Sequence, residues 1–155
     1  MEIKDIHAAL VKSGLTLSLA ESCTGGKIAA ELTSIPGASN FLLGSVVAYS
    51  NGWKEQFLNV SSETLRINGA VSAETVKEMV EGLFKNTPCD LAAAVSGIAG
   101  PDGGTPEKPV GTIYIATSKR GQKIHIQRIQ GPPNRQESID LAVKTTLTAL
   151  LSLLQ

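Results

Sequence analysis

The chain has 155 residues, which is enough for one domain with its own hydrophobic core, and we expect a single domain over residues 1–155. It carries 14 basic and 14 acidic residues and only 4% aromatic residues, so it lacks the positive charge and the stacking side chains that favour nucleic-acid binding. Its two cysteines lack metal-ligand spacing. No apolar run approaches the roughly 20 residues of a membrane span, and the N-terminus has no signal-peptide pattern. We therefore predict a cytoplasmic protein without a metal, membrane or nucleic-acid site.

The first part of the chain alternates between helical and strand patterns. Residues 15–19 alternate leucine with hydroxyl side chains, and this period of two predicts a strand with one buried face. Apolar residues at helical spacing over 28–35 predict a helix that ends at residues 36–37, a Pro-Gly pair. Residues 22–26 therefore form a strand-to-helix turn. The N-terminal segment is predicted to be an amphipathic helix with one apolar face, made of Ile3, Ile6, Leu10 and Val11.

The middle of the chain predicts a second strand at 46–49 and a short helix at 53–58. Ser72 is the predicted N-cap of the next helix. A continuous apolar run at 91–95, followed by a glycine-rich loop, is typical of a central strand buried on both faces. The core-facing stripe of the helix after Ser72 is Val76, Met79, Val80, Leu83 and Phe84.

Residues 110–117 and 123–129 flank a turn and predict an antiparallel hairpin. Asn134 and Glu137 have the spacing of a capping box and predict the start of a last helix. The predicted order is α, β, α, β, α, α, β, β, β, α. Helices on both faces of a five-stranded mixed sheet bury these apolar stripes, so we predict an α/β fold.

Three strand-end segments are predicted to meet at one edge of the sheet, because ligands of open α/β sheets collect outside the carboxyl ends of the strands. They are residues 22–26, 49–54 and 96–104. The third is rich in glycine and proline, beyond what an ordinary connection needs. It is interpreted as a ligand-binding loop, and a long turn across the end of the sheet is the alternative.

Ser22 is either a nucleophile or a helix N-cap, and the local pattern leaves both open. A serine nucleophile needs a base, and His7 and His125 are poor candidates because they fall within a predicted helix and a predicted strand. Lys54 can reach the same edge, and it acts as a base only if burial lowers its pKa from about 10.4 toward neutrality. The Tyr49 hydroxyl can form a hydrogen bond with Ser22 or with Lys54 and relay a proton. A solvated lysine and a core tyrosine are the alternatives.

With these residues in hand, the chain resembles the C-terminal domain family of the competence-damage-inducible protein CinA. The resemblance implies a three-layer α/β/α fold, no metal or cofactor, and hydrolysis of nicotinamide mononucleotide to nicotinic acid mononucleotide and ammonia. It implies that Ser22, Lys54 and Tyr49 carry the amidase chemistry. Full-length members have a further N-terminal domain, which we do not expect within these 155 residues. The matching segments are residues 20–26, 49–51 with Lys54, 69–72, 96–104 and 108–112.

The substrate-binding residues are predicted in the same loops and at the start of the last helix. One glycine-containing turn is expected to stabilise the oxyanion and the other to bind the 5′-phosphate, and the sequence leaves the assignment open. The family commonly has a second arginine four residues after Arg135, where this chain has Ile139, which implies weaker phosphate binding or an altered substrate. The predicted substrate-binding residues are Thr24, Gly25, Gly26, Asn51, Gly97, Ile98, Ala99, Gly100 and Arg135.

Two function classes stay open at this point. The first is the nicotinamide-nucleotide amidase, and the second is a non-catalytic nucleotide-binding or protein-interaction module of the same fold. A P-loop phosphotransferase does not fit, since the GxxxxGK[ST] pattern is missing. Apolar helix faces on both sides of a small sheet predict a homo-oligomer, a dimer or higher.

Overall fold

The fold is built on one five-stranded sheet with helices on both faces. A computed structural model describes residues 2–155. In chain order the elements are α1 Ile3–Ser13, β1 Leu17–Glu21, α2 Lys27–Thr33, a 3-10 helix Ala38–Asn40, β2 Leu42–Val47, α3 Asn51–Leu58, α4 Ser62–Asn68, α5 Ala73–Asn86, β3 Leu91–Gly97, β4 Thr112–Lys119, β5 His125–Gln130 and α6 Arg135–Ser152.

The strands lie in the order β2-β1-β3-β4-β5. β1 runs parallel to both β2 and β3, whereas β4 pairs antiparallel with β3 and with β5. The predicted mixed sheet and the predicted hairpin are thus confirmed. Because β2, β1 and β3 are parallel, their carboxyl ends meet at one edge of the sheet.

Two apolar clusters, one on each face of the sheet, form the core. On one face α1, α2 and α6 contribute buried leucines such as Leu10, Leu32 and Leu147. On the other face α3, α4 and α5 contribute side chains that include Leu58 and Met79. The three-layer α/β/α arrangement is therefore confirmed, and both faces of the central strands are covered.

β1 is buried on both faces, so the prediction of a single buried face was wrong. All residues from Leu17 to Glu21 are buried, because the strand lies between β2 and β3 and beneath helices on both sides. The hydroxyl of Ser18 is hydrogen-bonded to the hydroxyl of Thr87 at 2.9 Å. A satisfied hydroxyl is tolerated in a buried layer. The alternation of leucine with hydroxyl residues therefore did not mark an exposed face.

Other predicted details also differ from the structure. β2 ends at Val47, so Tyr49 lies beyond the strand rather than within it. Val11, predicted on the buried face of the first helix, is 40% exposed. α4 was not predicted, since Leu65 is its one buried residue and gives no periodic signal.

Both predicted N-caps are present. Ser72 Oγ accepts a hydrogen bond from the Thr75 N–H at 3.1 Å, and Asn134 Oδ1 accepts one from the Glu137 N–H at 3.0 Å. β3 is buried on both faces through Ser96, as predicted. Among the helices described over residues 2–155, none combines the length and the apolar character needed to cross a membrane.

Candidate active site

The turn after β1 places Ser22 at the carboxyl edge of the sheet. The Ser22 N–H donates to the Val95 carbonyl at 3.1 Å, so its backbone is still hydrogen-bonded to β3 one residue beyond the end of β1. Gly25 and Gly26 then take φ values of 58° and 99°, in the left-handed region that side chains disfavour. The N-cap of α2 is Gly26, and Ser22 does not cap this helix. Ser22 is 7% exposed, so its hydroxyl sits in a largely buried position at the end of a central strand.

Lys54 reaches this hydroxyl from the first turn of α3. Its Nζ lies 3.0 Å from Ser22 Oγ. It also lies 2.9 Å from the Ala48 carbonyl oxygen and 3.2 Å from the Tyr49 carbonyl oxygen. Lys54 is 1% exposed, so these three neutral oxygens replace the water that normally surrounds a lysine amine.

The surroundings of Lys54 favour its uncharged form. Burial is the larger cause and lowers the pKa of Lys54 below its ordinary value, whereas the neighbouring Cys23 acts in the opposite direction. Within residues 2–155, no carboxylate forms a salt bridge with Lys54. A neutral amine has two N–H donors and one lone pair, which match two carbonyl oxygens and one hydroxyl. In that form the Ser22 hydroxyl donates to the lone pair of Nζ, which is the arrangement of a nucleophile and its base.

Cys23 follows Ser22 directly, but its environment does not favour a thiolate. Burial is the largest cause that raises the pKa of Cys23 to about 11, and the charge of Glu21 acts in the same direction. A thiol with this pKa stays protonated near neutral pH and is a weak nucleophile. The hydroxyl of Ser22, which has an amine within hydrogen-bonding distance, is the better nucleophile of the two.

A pocket of about 190 Å³ opens at this edge of the sheet. It is smaller than the roughly 300–1,000 Å³ of pockets that hold drug-sized ligands, so it fits one end of such a molecule. Within residues 2–155, no group of three or more His, Cys, Asp or Glu side chains is arranged to hold a metal ion. The predicted site residues that line the pocket are Ser22, Tyr49, Lys54, Gly97, Ala99 and Arg135.

The other predicted site residues lie outside the lining of this pocket. Thr24 is buried, and its Oγ1 donates to a Glu21 carboxylate oxygen at 2.8 Å. Ile98 is held by β4, since its N–H donates to the Thr112 carbonyl at 2.9 Å. These side chains and amides are therefore engaged in shaping the loops. The group comprises Thr24, Gly25, Gly26, Asn51, Ile98 and Gly100.

Four residues that were not predicted as site residues complete the lining, and two of them, Cys23 and Ser96, lie in the predicted strand-end segments 22–26 and 96–104. Ser96 lies near the end of β3 and is 1% exposed, which places a second hydroxyl beside the site. Ala70 and Val71 come from the segment between α4 and α5. Both segments belong to the motifs of the family resemblance, but the side chains of Ala70 and Val71 have no functional group that marks a site. The additional lining residues are Cys23, Ala70, Val71 and Ser96.

Arg135, the first residue of α6, ties this helix to two of the loops. Its Nη1 donates to the Gly100 carbonyl at 2.7 Å, and its Nη2 donates to the Tyr49 hydroxyl at 3.2 Å. The Tyr49 hydroxyl is thus directed to Arg135, whereas its backbone carbonyl contacts Lys54. Tyr49 is 60% exposed and lies at the mouth of the pocket. Ile139, one turn further along α6, packs against the core and adds no charge there.

The model of the CinA C-terminal domain matches residues 2–154. This chain belongs to the CinA C-terminal domain family. A CinA-like protein of Shewanella sp. (strain MR-4) is 48% identical over 136 residues, which are 88% of this chain and 32% of that protein. A CinA-like protein of Desulfotalea psychrophila is 45% identical over 146 residues, covering 94% of this chain and 35% of the relative. The chain thus spans about a third of the length of these curated CinA-like relatives.

Solved structures of the CinA family share the fold over nearly their full length. The competence/damage inducible protein CihA of Agrobacterium tumefaciens superposes with a TM-score of 0.94 at 38% identity, covering 99% of this chain and 96% of that chain. A CinA superfamily protein of Klebsiella pneumoniae 700603 superposes with a TM-score of 0.92 at 35% identity, covering 99% of this chain and 98% of that chain. These proteins therefore share the fold of nearly the whole described chain.

Proposed function

We propose that this protein hydrolyses the carboxamide of nicotinamide mononucleotide to nicotinic acid mononucleotide and ammonia, a step of pyridine nucleotide salvage. The observation that carries the proposal is the 3.0 Å contact between Lys54 Nζ and Ser22 Oγ at a pocket edge. Membership of the CinA family supports it, since the resemblance implies an amidase that uses these two residues. A flat, neutral carboxamide also suits a small pocket of about 190 Å³.

In the first half of the reaction, Ser22 Oγ attacks the carboxamide carbon and Lys54 Nζ takes the hydroxyl proton. The carbon–nitrogen bond of the tetrahedral intermediate then breaks. Lys54 gives its extra proton to the leaving nitrogen, ammonia departs, and a nicotinoyl ester remains on Ser22. The carbonyl groups of Ala48 and Tyr49 hold Nζ in line with the hydroxyl during these transfers.

In the second half, water attacks the ester carbon and Lys54 again accepts the proton. The ester carbon–oxygen bond breaks, Ser22 Oγ takes the proton back from Lys54, and the carboxylic acid product releases its remaining proton to solvent as it becomes the carboxylate. The enzyme returns to its starting state with a neutral amine. The same contact between Ser22 and Lys54 therefore serves both halves of the reaction.

The oxyanion of both intermediates is assigned to backbone N–H groups of the turn that presents Ser22. At the start of α2, the N–H groups of Ile28 and Ala29 donate to the Glu21 side chain, so they are already engaged. The N–H groups of Cys23 and Thr24 precede the helix and are the proposed donors. One such donor contributes on the order of 3 kcal/mol in other hydrolases.

The 5′-phosphate is proposed to lie outside the pocket, at its mouth. Arg135 supplies the positive charge at this position, and Ala99 is also part of the lining. The contacts from Arg135 to Gly100 and Tyr49 keep the guanidinium at the mouth. In this arrangement the carboxamide end points inward to Ser22 and the phosphate end points to solvent.

A non-catalytic nucleotide-binding or protein-interaction module is the second candidate. Ile139 favours it, because this side chain packs against the core at the position where the family commonly has a second arginine. A site with Arg135 alone binds phosphate less strongly than a site with two arginines. The module retains the pocket and the fold but does not turn over the amide.

An ammonia-release assay with nicotinamide mononucleotide separates the two candidates. We expect the wild-type protein to release ammonia and nicotinic acid mononucleotide in equal amounts, and Ser22→Ala to release neither above background. Calorimetric binding of the nucleotide without ammonia release would instead support the module. If the protein neither binds the nucleotide nor releases ammonia, the result contradicts the amidase and the nucleotide-binding module.

A further inference from the structure

Glu21, the residue before the nucleophile, is a fully buried carboxylate (0% exposed) that the proposed reaction does not use. Its Oε1 accepts hydrogen bonds from Thr24 Oγ1 at 2.8 Å and from the Ile28 N–H at 2.9 Å. Its Oε2 accepts from the Ala29 N–H at 3.3 Å and from Ser45 Oγ at 2.7 Å. These four donors fill the hydrogen-bonding capacity of a carboxylate. Glu21 is therefore neither a base nor a counterion for the buried amine.

The Glu21 side chain replaces the missing side-chain cap of α2. The N-cap of this helix is Gly26, which has no side chain to accept a hydrogen bond. Ile28 and Ala29 are the second and third residues of the helix, and their N–H groups are those that an N-cap side chain normally satisfies. A negative charge at this end is also stabilised by the helix dipole. Glu21 thus binds the first turn of α2, although the turn that contains Ser22 separates the two in sequence.

Glu21 also contacts the end of β2, which leads into the segment whose carbonyl groups bind Lys54. Ser45, which donates to Glu21, lies in β2, and the chain continues from β2 to the carbonyl groups that bind Lys54. The Glu21 carbonyl also accepts a hydrogen bond from the Ala48 N–H at 2.9 Å. Ala48 in turn presents its own carbonyl to Lys54 Nζ. Glu21 therefore contacts both the turn of the nucleophile and the strand end that positions the amine.

We propose that Glu21 is a positioning residue that fixes the separation between Ser22 Oγ and Lys54 Nζ by tying the turn of residues 22–26 to α2 and to β2. The turn contains two glycines in left-handed conformations and has no cap of its own, so it depends on this carboxylate for its shape. A displacement of about 1 Å at a reacting group can cost about 100-fold in rate. The inference rests on the proposed function for its turnover measurement only.

Glu21→Gln tests the proposal with little change in volume. The amide has one acceptor oxygen, and its NH2 group must face donors such as the Ala29 N–H. We expect kcat for ammonia release to fall about 10- to 100-fold with KM within about twofold. We also expect phenylmethylsulfonyl fluoride to label Ser22 more slowly by a similar factor, with Ser22→Ala as the blank. This labelling reports on the activated hydroxyl and does not require the nucleotide.

Asp90→Asn is the matched control, because it removes a carboxylate at the opposite end of the same strands. Asp90 Oδ2 accepts from the Thr16 N–H at 2.8 Å and from Thr16 Oγ1 at 3.0 Å. We expect this variant to lower the unfolding temperature and to leave labelling and kcat unchanged. Ser45→Ala removes one of the four donors to Glu21, and we expect a smaller, several-fold loss of labelling. It replaces Glu21→Gln if that variant does not fold.

Labelling and turnover at the wild-type level in Glu21→Gln, or in Ser45→Ala if it is the variant used, would overturn the proposal. An equal loss in Asp90→Asn at a matched change in unfolding temperature would overturn it too, because both losses would then follow stability alone. If the wild-type protein labels at Ser22 but releases no ammonia, the proposed function fails. The labelling rates of the variants still decide the role of Glu21 in that case.

Discussion

Arg120 and Lys54 are two basic side chains that bind main-chain carbonyls at opposite ends of the central strands. Arg120 Nε donates to the Cys89 carbonyl at 2.8 Å, Nη1 to the Phe84 carbonyl at 3.0 Å, and Nη2 to the Thr87 carbonyl at 2.7 Å. Arg120 is exposed, and a guanidinium stays protonated in proteins. Its contacts therefore hold the end of α5 and the start of β3 in place without any exchange of protons.

Lys54 binds carbonyls in the same way but differs in burial and in its third partner. It is 1% exposed, and a primary amine loses its proton when burial makes the charge costly. Where Arg120 has a third carbonyl, Lys54 has the hydroxyl of Ser22. One kind of contact thus holds the chain at one end of the sheet, and at the other end it holds the amine that we propose as the proton acceptor.

The largest expected effect on kcat comes from replacing Lys54 with arginine, the residue type found at position 120. Lys54→Arg keeps a donor near the Ala48 and Tyr49 carbonyls but cannot accept a proton, so kcat for ammonia release should fall about 10³-fold or more, as when a hydrolase loses one member of its nucleophile–base pair. Ser22→Ala and Lys54→Ala should lose a similar factor. Arg120→Lys is the control and should keep kcat. Turnover near the wild-type level in Lys54→Arg would show that the amine is not the base.

The second effect is a pH dependence of the rate. Burial lowers the pKa of Lys54. As the pH rises, the amine therefore becomes mostly neutral at a pH lower than the ordinary lysine pKa of about 10.4. We expect kcat/KM to rise with pH and to level off before that value is reached. The residual activity of Lys54→Arg should lack this limb. A rate profile without a rising limb in the wild-type protein contradicts the assignment of the base.

The same lowered pKa makes the free energy of unfolding depend on pH. The unfolded chain binds more protons than the folded chain between the folded and unfolded pKa values of Lys54, so stability rises with pH through that window. We expect the stability of the wild-type protein, relative to Lys54→Met, to increase as the pH approaches about 10.4. Urea unfolding at several pH values measures this difference. A difference that is constant with pH would mean that Lys54 keeps its proton in the fold.

A smaller effect is expected for Tyr49→Phe. The change removes the hydroxyl that binds Arg135 but keeps the backbone carbonyl that binds Lys54. The loss of one hydrogen bond of about 0.5–1.5 kcal/mol corresponds to a decrease in kcat of about 2- to 10-fold. Steady-state kinetics test this directly. A loss as large as that of Ser22→Ala would assign the proton relay to the Tyr49 hydroxyl instead.

The smallest effect on catalysis is expected for Arg120→Ala. Three carbonyls lose their donors and become accessible to water, so we expect the free energy of unfolding to fall by about 1–2 kcal/mol with kcat unchanged. Urea unfolding and the ammonia assay at saturating substrate measure the two quantities. A change in kcat would mean that the two ends of the sheet are coupled.

The elements with strong local patterns were predicted correctly from the sequence. β3 is a continuous apolar run, and α5 and α6 have hydroxyl or amide N-caps followed by apolar stripes. α4 was missed because Leu65 alone is buried, and the second buried face of β1 was missed because Ser18 is covered by an element distant in the sequence. Tertiary contacts of this kind leave no local signal.

The contact partners in the site were only partly predictable. Ser22 and Lys54 were named from their positions at strand ends, but the carbonyls of Ala48 and Tyr49 were not, since every residue has a carbonyl. Glu21 was not singled out because an acidic residue at a strand end resembles an ordinary surface residue. The nucleotide partner, the absence of nucleic-acid binding and the homo-oligomer stay predictions.

The use of main-chain carbonyls around Lys54 also affects how the site responds to mutation. A substitution at position 48 or 49 changes a side chain and leaves in place the carbonyl oxygen that contacts Nζ. Scanning mutagenesis therefore underestimates the importance of this segment. Different side chains at positions 48 and 49 are compatible with the same carbonyl contacts to Lys54 Nζ. Only a change in the path of the backbone, such as a deletion between β2 and α3, removes both acceptors together.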